Sequence, residues 1–101
     1  NILNNLDPSG SILYRFGLAL KAAKPGKFSI YEAGNLIKEI TVNGTSSEAA
    51  RKQDTASISA TAISKDMRSV LKFEYTNSDM TGSNPYFDWL EIQYPIKISR
   101  L

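Results

Sequence analysis

Apolar and polar side chains alternate at every second position through most of the chain, and successive side chains of an extended strand point to opposite faces. Over 11–21, Ile12, Tyr14, Phe16, Leu18 and Leu20 share one parity, while Leu13, Arg15, Gly17 and Ala19 take the other. The spacing predicts a long half-buried strand, with Gly17 marking a bend or a close neighbour. Over 27–33 a second strand has Phe28 and Ile30 inward, and Ser29 and Tyr31 outward. Gly34-Asn35 breaks it, and 36–42 resumes with Leu36, Ile40 and Val42 in phase. Lys38 shares that parity, so this strand lies at an edge or its register shifts between Ile37 and Ile40. Asn43-Gly44 follows at once and predicts a hairpin turn. The polar or small residues of 45–53 fit a surface loop or one helical turn capped by Ser46 or Ser47.

A further strand is predicted over 54–63, with Ile58, Ala60 and Ala62 on one parity, and a turn over 66–69. Over 70–76, Leu71, Phe73 and Tyr75 oppose Val70, Lys72 and Glu74. A turn-rich loop over 77–85 then delivers the last strand, 90–98. There Leu90, Ile92, Tyr94, Ile96 and Ile98 fall on one face, and Trp89, Glu91, Gln93 and Lys97 on the other. Pro95 has no N–H to give a ladder, which puts that strand at an edge or bulges it. At the other end, Asp7-Pro8-Ser9-Gly10 is a turn signal, and Ile2, Leu3 and Leu6 cover a sheet edge or form a short first strand. No segment holds a helical period over three turns. Short strands separated by turn signals predict an all-β fold, an antiparallel, jelly-roll-like β-sandwich.

A length of 101 residues fits one domain over 1–101, and 42% hydrophobic residues suffice for a core without staples. There is no signal peptide and no apolar run long enough to span a bilayer. The chain starts at Asn1 and not at Met and stops one residue after Arg100, so it reads as a piece of a larger multidomain protein.

The inventory removes much chemistry. With no cysteine and no histidine there is no disulfide, no thiolate nucleophile, no usual zinc ligand and no usual general base. Gly-x-Ser-x-Gly is absent too. A net charge of +2, with Lys21, Lys24 and Lys27 clustered and Arg51 beside Lys52, reads as solvated surface and not as a nucleic-acid footprint. Asp79, Asp88 and Glu91 supply carboxylates, and Asp88, on the parity of Leu90, is expected to satisfy backbone donors of the preceding loop. Asn77, Asp79, Asn84 and Asp88 offer oxygens around one loop, but in no calcium-loop spacing. The expectation is therefore no catalytic residue, no cofactor and no metal.

Trp89 points outward beside Glu91 and Gln93, and Tyr31 points outward on another strand. An aromatic face with an amide and a carboxylate is what a sugar ring and its hydroxyls need. The simpler account is that Trp89 packs under a loop or against a neighbouring domain. Asn43-Gly44-Thr45 fits the N-glycosylation sequon, although a tight turn explains Asn-Gly by itself. Asp54-Thr55-Ala56 resembles the short acceptor pattern of O-glycosylation in Bacteroidetes.

Several phrases together resemble a known region. They are Tyr14-Arg15-Phe16-Gly17-Leu18-Ala19-Leu20, Lys27-Phe28-Ser29-Ile30, Ile40-Thr41-Val42-Asn43-Gly44, Leu71-Lys72-Phe73-Glu74-Tyr75-Thr76 and Trp89-Leu90-Glu91-Ile92-Gln93-Tyr94-Pro95. Their order is similar to a β-sandwich region of PorU-type proteins, the gingipain-like sortases of the type IX secretion system in Bacteroidetes. The resemblance implies a cell-surface or outer-membrane setting and a parent protein with a cysteine peptidase domain after the sandwich. The family's catalytic cysteine and histidine have no counterpart here, so no activity residue carries over. It implies a non-catalytic accessory or interaction domain that packs on a neighbouring domain or on secreted clients. Trp89, Tyr31, Tyr86 and Glu91 are the expected interaction surface, and a carbohydrate-binding module is the alternative.

Overall fold

The structure is a computed structural model that describes residues 2–63 and 67–97. Its strands are β1 (Ser11–Lys21), β2 (Gly26–Glu32), β3 (Asn35–Val42), β4 (Ala50–Ser59), β5 (Leu71–Asn77) and β6 (Asn84–Gln93), with one 3-10 turn at Ala60–Ala62. They form two antiparallel three-stranded sheets, ordered β4-β1-β6 and β3-β2-β5. This is the all-β, two-sheet arrangement that the alternation predicts. Among the described residues there is no α-helix.

β1 is the central strand of the first sheet, and its inward set Ile12, Tyr14, Phe16, Leu18 and Leu20 is almost fully buried. Phe28 and Ile30 of β2 face it from the second sheet, with Ile40 and Val42 of β3. Phe16 meets Phe73 of β5 edge-on across the gap, with centroids 6.3 Å apart. One polar strut crosses this core. Glu32, only 2% exposed, continues the inward parity of Phe28 and Ile30. Its carboxylate accepts hydrogen bonds from the Tyr14 hydroxyl (2.6 Å), the Ser69 hydroxyl (2.6 Å) and the Val70 N–H (2.8 Å). A buried carboxylate is tolerable only when its lone pairs are satisfied in this way. Burial of Tyr14, reinforced by its hydrogen bond to Glu32, raises the phenol's pKa well above 10.0.

Several boundaries differ from the sequence reading. β2 turns into β3 through Ala33-Gly34, whose φ values of 50° and 86° are those of a type I′ turn. Asn43-Gly44 is not a hairpin turn, because β4 pairs with β1 and not with β3. It begins a crossover between sheets, held to the end of β1 by Ala22 N–H donating to Thr45 O at 3.0 Å. β3 is an edge, and its register shift sets Leu36 out of phase while Lys38 points inward with Ile40. β4 starts at Ala50, earlier than 54, because edge pairing with β1 needs no apolar alternation. β6 runs over Asn84–Gln93, so Pro85 lies inside it and Pro95 beyond it. Ile98 lies outside the described residues. Ile2 and Leu6 form isolated bridges to Arg68 and Ile96, and Leu3 and Leu6 join the core. The Asp7-Pro8-Ser9-Gly10 turn forms as expected, with Asp7 accepting from both Ser9 N–H (2.9 Å) and Ser9 hydroxyl (2.7 Å).

Candidate functional site

The two flanks of the sandwich are unequal. On one, edge strands β3 and β4 are tied together by the Lys38–Asp54 ion pair (3.7 Å) and by Lys52 Nζ donating to Thr41 O (3.3 Å). Inward-pointing charges of this kind blunt an edge. On the other flank, among the described residues, β5 pairs only with β2, and β6 only with β1. Their inward side chains Leu71, Phe73, Tyr75, Leu90 and Ile92 are only partly buried. Phe73 and Phe87 stack across the opening with centroids 4.3 Å apart, yet Phe87 remains 45% exposed and Tyr86 53% exposed. A groove of about 180 Å3 runs here, walled by Phe28, Phe73, Tyr75, Pro85, Tyr86 and Phe87.

A bulge shapes β6. Gly17 stands opposite Trp89, but Leu18 stands opposite Phe87, so Asp88 is the extra residue. Phe87 therefore faces inward with Leu90, and Tyr86 outward with Trp89. Asp88 does not serve the preceding loop as expected. It lies exposed and takes the Arg51 guanidinium at 2.8 Å. The bulge was not legible because it offsets two in-phase halves of one strand by a single residue.

The outer face of the β4-β1-β6 sheet is thus built in rows. Thr55, Arg15 and Glu91 form one, Gln53, Gly17 and Trp89 the next, and Arg51, Ala19 and Tyr86 the third. A Cβ on Gly17 would sit 2.3 Å from Trp89 Nε1 and 2.8 Å from each neighbouring ring atom, so the indole lies over the glycine. Two hollows open on this face. One of about 250 Å3 is lined by Arg15, Gln53, Asp54, Thr55 and Trp89; the other, of about 410 Å3, by Ala19, Ala49, Arg51, Tyr86, Phe87 and Asp88.

Of the four expected surface residues, Trp89, Tyr86 and Glu91 share this face, and Tyr31 does not. Tyr31 belongs to β2, on the outside of the opposite sheet, where the Lys72 ammonium stands 6.0 Å from its ring. Lys72 also pairs with Glu74 at 2.8 Å, and this hydrogen bond and charge hold the Glu74 carboxyl below its ordinary range. Arg51, Gln53 and Asp88 are the face residues that the sequence reading missed; only cross-strand register brings them to Trp89 and Tyr86.

The loop oxygens are engaged internally. Asp79 accepts from Thr81 Oγ1 (3.1 Å) and Gly82 N–H (3.3 Å), and Asn77 accepts from Asp79 N–H (2.9 Å). Among the described residues no three His, Cys, Asp or Glu side chains are grouped to hold a metal ion. Asn43 and Thr55 are both exposed. No family model matches the chain, and no curated protein or solved structure matches it either.

Proposed function

We propose that this chain is a non-catalytic interaction domain of a PorU-like cell-surface protein of the type IX secretion system, seated against a neighbouring domain. The observation that carries the interaction role is the open flank. Two strand edges, unpaired among the described residues, border a groove of half-buried aromatic residues, and such an edge takes another polypeptide through main-chain hydrogen bonds and apolar pockets. The sequence phrases around Phe16, Phe73 and Trp89 support the family reading, and the lack of histidine and cysteine supports a role without catalysis.

The reading frame that carries this domain is expected to encode a gingipain-like cysteine peptidase domain downstream; a glycoside hydrolase there overturns the family assignment. In the intact protein, Phe87→Ser should speed proteolysis at the junction between this domain and its neighbour, while leaving the isolated domain folded. An unchanged cleavage rate would remove the open flank as the contact.

A further inference from the structure

We infer that the outer face of the β4-β1-β6 sheet is a binding site for an uncharged polysaccharide, with Trp89 and Tyr86 as stacking surfaces and Arg51, Gln53, Asp88 and Arg15 as hydrogen-bonding groups. The site adjoins the open flank, sharing Tyr86 and Phe87 with its groove, but Trp89, Gln53 and Arg15 lie outside that groove, and the site does not rest on the family assignment.

Three observations converge. Small central residues make the face a trough: Gly17 and Ala19 of β1 stand between taller side chains from β4 and β6. Two hollows, of about 250 and 410 Å3, open beside it, one at Trp89 and the other at Tyr86. Trp89 is fixed in the trough by the glycine beneath, so its orientation is set before any ligand arrives, which lowers the entropy cost of binding.

The charges select the class of ligand. Arg15 and Arg51 share this surface with Asp88 and Glu91, and Arg51 is already paired with Asp88. A phosphate or sulfate polymer would meet two carboxylates, one of which already occupies Arg51, whereas a neutral polyol can use donors and acceptors of both signs. Planar aromatic surface beside such groups suits the apolar face of a sugar ring and its hydroxyls.

Trp89 is the only tryptophan, so its fluorescence reports on this site alone. The test is affinity electrophoresis and fluorescence titration with hydroxyethyl cellulose, xylan, galactomannan and soluble starch, with dextran sulfate as the anionic comparison. At least one neutral polymer should retard the protein and shift Trp89 emission. Gln53→Ala and Tyr86→Ala should each weaken that binding, and Trp89→Ala by at least about tenfold. Trp89→Phe, which keeps an aromatic ring over Gly17, should bind more tightly than Trp89→Ala. Tyr31→Ala, on the opposite sheet, should bind as the parent does. Retardation by none of the neutral polymers, by dextran sulfate alone, or equally in Gln53→Ala, Tyr86→Ala and Trp89→Ala would overturn the inference.

Discussion

The residue with the most consequence inside the molecule is Tyr14. Its hydroxyl and that of Ser69 converge on Glu32, joining the central strands of both sheets. Tyr14→Phe keeps the ring but leaves the carboxylate short of a donor, and should cost about 1–3 kcal/mol by chemical denaturation. The same phenol sets an alkaline limit. Its pKa is raised in the folded state above the ordinary 10.0, by burial first and by its hydrogen bond to Glu32 second. Its contribution to stability is therefore complete below pH 10 and is lost as pH rises above it. A spectrophotometric titration should find one of the five tyrosines ionising last, together with unfolding. If all five ionise before the fold is lost, the buried strut is wrong. Gly17 is a second such position. Gly17→Ala puts a methyl into the Trp89 ring and should shift tryptophan emission toward that of an exposed indole, at a cost of about 1–3 kcal/mol.

At the scale of elements, much of the fold could be read in advance where one face is buried and the other wet. β1, β2 and β5 show this, since the inward sets around Phe16, Phe28 and Phe73 are the ones that alternation picks out. Edges were harder. The first half of β4 holds Arg51, Lys52, Gln53 and Asp54, whose place in a strand comes from their partners on β1 and not from apolar spacing. Glu32 could have been found, because it follows the parity of Phe28 and Ile30, but a carboxylate there looks solvated until Tyr14 is placed beside it. The site was half legible. Parity put Trp89 and Glu91 outside, while the gathering of Arg51 and Gln53 around them depends on register across three strands. Turn chemistry was ambiguous in the same way: Asn43-Gly44 marks a change of direction, but nothing local tells whether the next strand joins the same sheet. The true hairpin uses Ala33 at a φ of 50°, which costs an alanine some conformational energy. Ala33→Asn should raise stability by about 0.5–1 kcal/mol, and a thermal midpoint that falls would count against the turn type.

At the scale of the whole molecule, the two flanks assign different tasks to similar elements. Charges close the β3/β4 side, and aromatic residues leave the β5/β6 side open. In solution at high concentration the open side should also be where copies of the isolated domain meet. Phe87→Lys should suppress that association while costing about 0.5–1.5 kcal/mol from the lost stack on Phe73, which light scattering and denaturation together can check.

The order of pairing has one more consequence, for the birth of the protein. The most apolar ribbon, Ser11–Lys21, is synthesised before the other five strands, yet one of its two neighbours is Asn84–Gln93, near the far end of the described chain. Until that distant segment leaves the ribosome, the nascent ribbon has a naked side, and closing so long a loop is slow. A cell making this protein must shelter a sticky intermediate for most of the time that translation of the domain takes.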